Sequence, residues 1–527
     1  MQQAEIIAVL LMLMAALVVI AKKLEVPYPV MLVLGGLAVS FIPRLPEVKL
    51  DPNLVFYFFL PALLYPTALF TSWRDFRRNL RPILLLAIGL VLITMVVVAW
   101  VVHMIIPSLP WAAAFALGAI VSPPDAVAAT AVIRRLSVSH RIQAILESES
   151  LVNDATALVA LQFAVAAMMT GTFSLSHASL RFVLVAAGGI GFGLLVGFLT
   201  RAVQRRLDDP PVQVTVSLLT PFLAYLPAER LHVSGVLAAV AAGIYLGWHS
   251  PVVVKARFRL QAFAFWEMIG FLLNGFIFIA IGLQLPGILR AMNGESLSTL
   301  IYDALLICAA VVVARIAWVI PGVYLPRLLS KKIRAREPKP RWQNVALIAW
   351  AGMRGVISLA AAFALPFTLP DGRPFPGRNY ILFFTFCVIL ATLVGQGLTL
   401  PFLIRILRIE DDGVTDEEER SARIAANQAA IAFLENAGGR DGASPEILQR
   451  LRAEYDDRMA QLQRCVAESD NRGGSVATPQ YQQLQQQALS TERDTIIQLR
   501  NKHVINDEAL RRIQRDLDLA EVRLFGG

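Results

Sequence analysis

The chain has 527 residues, of which 56% are hydrophobic and 17% charged, with a formal net charge of +9. Soluble chains average about 45–50% apolar, and apolar runs of about twenty residues recur here, so an ordinary soluble protein is excluded and a polytopic membrane protein implied. The positive charge does not mark a nucleic-acid partner, because it falls on alternate connections between the apolar runs.

Thirteen apolar segments are expected, over about residues 4–21, 26–43, 53–71, 82–106, 111–133, 148–170, 180–200, 212–228, 232–248, 261–285, 299–325, 343–366 and 380–404. The first lacks a basic leader and a small-residue cleavage site, and reads as a retained span. One set of connections carries twenty-two Lys and Arg residues, among them Arg77, Arg141, Arg205, Arg259 and Lys331. The other set carries seven, among them Arg44, Arg181, Arg230 and Arg373. Short basic loops stay in the cytoplasm. An odd span count then puts the N-terminus outside and the C-terminus inside. The lipid bilayer is the expected surrounding, with no nucleic-acid partner. Cys308, Cys387 and Cys465 show neither metal spacing nor a disulfide framework.

The sixth segment opens with Glu147-Ser148-Glu149-Ser150-Leu151-Val152-Asn153-Asp154. Charge inside a bilayer costs a few kcal/mol or more per residue, so an intramembrane carboxylate signals function. On a helix, Ser150 and Asp154 share one face and Glu149 and Asn153 another. Clustered oxygen ligands suit a hard cation or a proton. A helix start in the interface would explain Glu147 and Glu149, but not Asp154, which a long apolar run follows.

Two segments are expected to break. In the fifth, Val121-Ser122-Pro123-Pro124-Asp125 removes helix hydrogen bonds beside a carboxylate. In the twelfth, Gly352-Met353-Arg354-Gly355 sets an arginine between glycines in an apolar run. Broken helices at the midplane are the binding-site signature of secondary transporters, and irregular backbone there is tolerated only against protein or a water-filled cavity. The odd offset between segments 5 and 12 is what an inverted repeat requires. Arg354 would offset carbonyl ends and carboxylate charge where the two cross. Arg315, deep in the eleventh segment, needs a counter-charge, for which Glu267 and Glu229 are both candidates. Gly395-Gln396-Gly397 near the end of the last segment reads as close helix packing.

From about residue 410 the chain turns polar. Thr415 with Glu418 resembles a capping box, and Ser444-Pro445 and Thr478-Pro479 read as helix starts. Gly438-Gly439 and Gly473-Gly474 read as breaks. The expected division is a transmembrane domain over 1–409 and a cytosolic helical domain over 410–527.

Taken together, Glu149-Ser150-x-x-Asn153-Asp154, the Asp125 motif, Leu223-Ala224-Tyr225 with Glu229, Ser234-Gly235-Val236-Leu237-Ala238, Arg315, Gly352-Met353-Arg354-Gly355 and Gln396-Gly397-Leu398-Thr399 resemble the bacterial sodium/proton exchangers of the monovalent cation:proton antiporter superfamily, in the branch shared with animal sodium/proton exchangers. The likeness runs from Leu60 to Leu400. It implies an all-α fold of thirteen spans, with a six-helix core of inverted repeats holding two broken, crossing helices, and a separate dimerisation domain that makes a homodimer. It implies electroneutral exchange of sodium (alternatively potassium or lithium) for a proton across the plasma membrane, without a cofactor and without catalytic chemistry. Asp154 would carry the exchanged ion, with Ser150 as a second sodium ligand and Asn153, Glu149 and Asp125 around it. Arg354 and Arg315 would compensate charge. Three departures stand out: Pro66 where many relatives have glutamate, Pro124 where some have threonine, and Asn274 where animal members have glutamate. A cation channel is the other class these residues allow.

Overall fold

In the computed structural model the apolar runs are helices, and the described residues contain no strand beyond one isolated bridge between Thr368 and Pro374. The structure describes residues 2–42, 51–133, 138–170, 175–253, 256–292, 295–336, 340–369, 371–409, 414–437 and 445–470, together with Leu136 and scattered positions between 490 and 519. The chain divides into two compact units, Met1–Asp412 and Gly413–Gly527.

The first unit contains α1 (Gln2–Lys23), α2 (Tyr28–Ser40), α3 (Val55–Phe70), α4 (Leu80–Ile105), α5 (Trp111–Val121), α6 (Ala126–Ile133), α7 (His140–Thr170), α8 (Leu175–Gln204), α9 (Pro210–Arg230), α10 (Gly235–Val253), α11 (Ala256–Leu283), α12 (Leu297–Leu329), α13 (Trp342–Trp350), α14 (Val356–Phe363) and α15 (Arg378–Leu407), with short helices in some of the connections. Eight described helices are long and apolar enough to cross a membrane: α4, α5 with α6, α7, α8, α9, α11 with the short helix Leu285–Ala291 after it, α12 and α15. Parts of α2, α3 and α10 are shorter apolar helices. Helix α7 begins at His140, eight residues before the expected start, so Glu149 and Asp154 lie in the helix interior rather than at its opening.

The main apolar core is built from α1 to α7 and α11 to α15. A second, smaller core joins α3, α9 and α10 to one face of α7. Helix α7 therefore belongs to both. Close backbone approach helps the packing. A Cβ on Gly36 of α2 would sit 2.3 Å from the Ile279 carbonyl of α11, and one on Gly282 would sit 2.3 Å from the Val33 carbonyl. Small residues that admit a neighbouring backbone are the usual solution between helices in lipid, where apolar surface alone gives little drive. Helix α5–α6 is the most enclosed of the long apolar helices, while α8 turns Leu180, Val183, Leu184, Phe198 and Leu199 outward.

Three stretches widen into π-helical turns, Val55–Phe59, Leu85–Leu90 and Ala391–Gln396. Such bulges recur at functional sites, and the third one bears on the site below.

The second unit contains α16 (Val414–Ala437) and α17 (Pro445–Asp470), joined by an ion pair between Arg452 and Glu435 at 3.0 Å. Pro445 stands first in α17, where a missing N–H costs nothing. Helix α16 starts at Val414, so Thr415 lies just inside it rather than at its cap. The expected breaks at Gly438-Gly439 and Gly473-Gly474, Ser444, and the Thr478-Pro479 start lie outside the described residues.

Candidate functional site

The two helix interruptions meet. Helix α5 stops at Val121 and α6 resumes at Ala126; α13 stops at Trp350 and α14 resumes at Val356. Each unwound segment uses the other's freed backbone groups. The Asp125 N–H donates to the Met353 carbonyl at 2.6 Å, and the Arg354 Nε donates to the Val121 carbonyl at 3.0 Å. Buried backbone must find such partners at membrane depth. Gly355 permits the contact, because a Cβ there would fall 1.7 Å from Asp125 Oδ2.

Arg354 is fully buried. Its guanidinium also donates to the Gly352 carbonyl, and its backbone N–H donates to Thr392 Oγ1 at 3.1 Å. It thus neutralises the carbonyl ends of two broken helices, as a cation should at a helix C-terminus. Thr392, in the third π-helical turn, in turn donates to the Val388 carbonyl at 2.7 Å. The sequence reading assigned this last segment to packing and missed Thr392. A lone hydroxyl in an apolar helix bonds its own backbone by default, so nothing in its spacing singled it out.

Asp125 caps the restarted helix, its Oδ1 accepting the Val127 N–H at 2.8 Å. Two α7 side chains hold the same segment. Asn153 Nδ2 donates to the Pro124 carbonyl at 3.3 Å, and Ser150 Oγ accepts the Ala126 N–H at 3.4 Å. Ser150, Asn153, Asp154 and Asp125 therefore come together around one crossing. Asn153 is fully buried, and its Oδ1 has no hydrogen-bond partner among the described residues. Asp154 is buried as well. The described residues offer Asp154 no ion-pair partner.

Glu149 departs from the expected arrangement. Its Oε1 and Oε2 accept from Arg315 Nη1 and Nη2 at 2.8 and 3.1 Å, a buried bidentate pair. Arg315 Nε and Nη2 also donate to the Ile348 carbonyl at 3.2 and 3.1 Å. Arg315 thus pairs with neither Glu267 nor Glu229. Glu267 is exposed, and Glu229 accepts the Gly235 N–H at 2.9 Å. Both Glu149 oxygens are committed to Arg315, so Glu149 stands beside the crossing as a strut. Asn274 is turned to its own helix, donating to the Gly270 carbonyl at 2.8 Å.

A cavity of about 460 Å³ opens between α7 and the α9–α10 connection, one residue beyond Asp154. Ala155, Leu158 and Gln162 line it on one side, Tyr225, Glu229 and His232 on the other. Among the described residues no group of three or more His, Cys, Asp and Glu is arranged to hold a metal ion.

Residues 8–406 match the family described as sodium/hydrogen exchanger, transmembrane. An uncharacterized Na(+)/H(+) exchanger of Mycobacterium bovis is 37% identical over 526 residues, which cover 98% of this chain and 96% of that protein. A sodium, potassium, lithium and rubidium/H(+) antiporter of Bacillus pumilus is 38% identical over 411 residues, covering 75% of this chain and 60% of that protein. The solved sodium proton antiporter MjNhaP1 of Methanocaldococcus jannaschii superposes with a TM-score of 0.61 over 77% of this chain and 99% of its own, at 21% identity, a likeness of fold. The chain is a multi-pass membrane transporter of the sodium/hydrogen exchanger family.

Proposed function

We propose that this protein exchanges sodium for a proton across the plasma membrane, one for one, with both ions competing for Asp154. The observation that carries the reading is the buried Asp154, set against the crossing of two broken helices with no ion-pair partner among the described residues. A carboxylate so placed must find a mobile positive charge, a proton or a metal cation.

Ser150 Oγ, Asn153 Oδ1 and the Asp154 carboxylate supply oxygens of the kind sodium takes. Asn153 is turned so that its amide nitrogen holds the Pro124 carbonyl and its oxygen stays available. Asp125 and Arg354 fix the crossing. One carboxylate that alternates between two monovalent partners carries no net charge in either loaded state, so exchange is electroneutral. The core then rocks against the rest of the unit and presents Asp154 to each side in turn.

Thirteen crossings follow if α1, α2, α3, α10 and the α13–α14 pair each cross once beside the eight long apolar helices. The N-terminus then lies outside and the second unit in the cytoplasm, as the loop charges indicate. The outward-facing apolar side chains of α8 suit lipid or a second copy in a homodimer. Potassium/proton exchange is the second reading, favoured by the Bacillus relative whose name covers four alkali cations.

The test uses purified protein in sealed vesicles with a pH-sensitive dye inside. A proton gradient is imposed, and sodium, lithium and potassium are added in turn. Sodium-driven proton movement that disappears in Asp154→Asn supports the reading. A cation current without proton movement would make the protein a channel, and exchange that survives in Asp154→Asn would relocate the ion site.

A further inference from the structure

Gln396 closes the third π-helical turn of α15, in the stretch of that helix that meets the α13–α14 break. Three contacts fix the meeting. Thr399 Oγ1 accepts from Trp350 Nε1 at 3.0 Å, a Cβ on Gly397 would come within 3.5 Å of Met353 Sδ, and Thr392 Oγ1 accepts the Arg354 N–H at 3.1 Å. The two segments run in opposite directions, Thr399 to Thr392 against Trp350 to Arg354, and Gln396 falls inside that span. Thr392 and Gln396 are four positions apart and share a helix face.

Gln396 is 3% exposed, and neither its amide oxygen nor its amide nitrogen has a hydrogen-bond partner among the described residues. Thr392 and Thr399 behave differently. Each also donates to a carbonyl of its own helix, Val388 and Gly395, at 2.7 Å. That is the usual refuge of a hydroxyl in an apolar helix, and Gln396 takes no such refuge. A primary amide has two donors and two acceptor sites, and burying it unpaired carries its full desolvation cost. A methionine would fill the same space without that cost. The facing elements hold unpaired groups too: Arg354 Nη2, and Ser358 Oγ in the first turn of α14, are buried without a partner among the described residues. An amide that both donates and accepts is thus set against a break with a donor and a hydroxyl to spare.

We propose that Gln396 is a positioning residue of the transport cycle, whose amide bonds the α13–α14 break in the state facing the opposite side of the membrane and is released from it in the present state. This rests on the proposed exchange between two faces. The π turn supplies the means. It holds one residue more than an α turn, and moving that extra residue past Gln396 turns the side chain by about 100°, the step of one helical residue. A bond made in one state alone favours that state over the other. Gln396 therefore speeds departure from the present conformation and adds nothing to its stability. Sodium at any concentration cannot replace a bond that the protein makes with itself as it moves.

The test compares the full-length parent with Gln396→Met and Gln396→Asn, by thermal unfolding in detergent and by sodium-driven proton movement in sealed vesicles. Methionine keeps the length of the side chain and removes its polar atoms. The expected unfolding midpoint of Gln396→Met is equal to or above that of the parent, because two unpaired groups leave the core. Its rate at saturating sodium should be about ten times lower, the loss of one buried hydrogen bond. Gln396→Asn keeps the amide on a shorter stem and should recover part of the rate. A lower midpoint in Gln396→Met, or a variant that does not fold, would show that the amide is already paired in the present state and would overturn the proposal. A parent-like rate overturns it too, as does a slow rate that saturating sodium restores, since that marks a part in sodium binding instead. A parent without exchange would remove the proposed function and this inference together, whereas an active parent with an equally active Gln396→Met would remove this inference alone.

Discussion

Glu149 and Arg315 show how much a buried charge depends on its partner. The pair is bidentate and shielded from solvent. Removing one partner from a buried pair leaves an uncompensated charge and costs about 3–5 kcal/mol, whereas replacing both by apolar groups is often neutral. Glu149→Leu and Arg315→Leu are each expected to lower stability by that amount in detergent unfolding. The double variant should recover most of it. Additive losses would show that the two side chains do not work as a pair. Asn153 makes a different prediction. Asn153→Ala removes a neutral oxygen beside Asp154 and the bond to the Pro124 carbonyl, so the apparent KM for sodium should rise while proton binding persists. An unchanged sodium KM would remove Asn153 from the site. Asp154 was legible because a carboxylate followed by an apolar run has no other use. The partner of Arg315 was not, since Glu149 lies 166 positions away along the chain and only the folded chain brings them together. The family resemblance puts Glu149 around the ion, and the structure pairs both its oxygens with Arg315.

At the scale of elements, the two interruptions work as one device. The Pro123-Pro124 pair and the Gly352 and Gly355 positions were visible in the sequence because proline and glycine break helices whatever surrounds them. That the breaks would cross was legible only through the repeat pattern. What they exchange, Asp125 with Met353 and Arg354 with Val121, depends on the depth of each break and was not legible. Gly355→Ala drives a methyl into Asp125. It should abolish exchange and lower stability by at least the about 1–3 kcal/mol expected for overpacking, read as lost vesicle activity and a lower unfolding midpoint. Wild-type exchange by Gly355→Ala would mean that the crossing opens further than the structure shows. Thr392→Val is the milder test. It strands the buried Arg354 N–H, at about 1–3 kcal/mol, without adding bulk, and Thr392→Ser should restore it.

The whole molecule divides at Asp412. The family match ends at residue 406, within the first unit. A chain ending after Asp412 is therefore expected to keep sodium/proton exchange in vesicles, with any change confined to its pH set-point or assembly. Complete loss of exchange in a folded, membrane-inserted truncation would give the second unit a direct part in transport. The composition turns polar near residue 410, and a polar, charged segment cannot share a lipid-facing surface.

Competition at Asp154 has a direct kinetic signature. If one carboxylate accepts either ion, protons raise the apparent KM for sodium and leave the maximal rate unchanged. The measurement is the initial rate of sodium uptake into vesicles against sodium concentration, repeated from pH 5 to pH 9 at equal pH on both sides. The account predicts that on the acidic limb KM rises about tenfold for each pH unit, the limit for one competing proton, and that saturating sodium restores the full rate. A KM that stays flat across this range, or a maximal rate that falls with acid and cannot be recovered by sodium, would contradict a shared site.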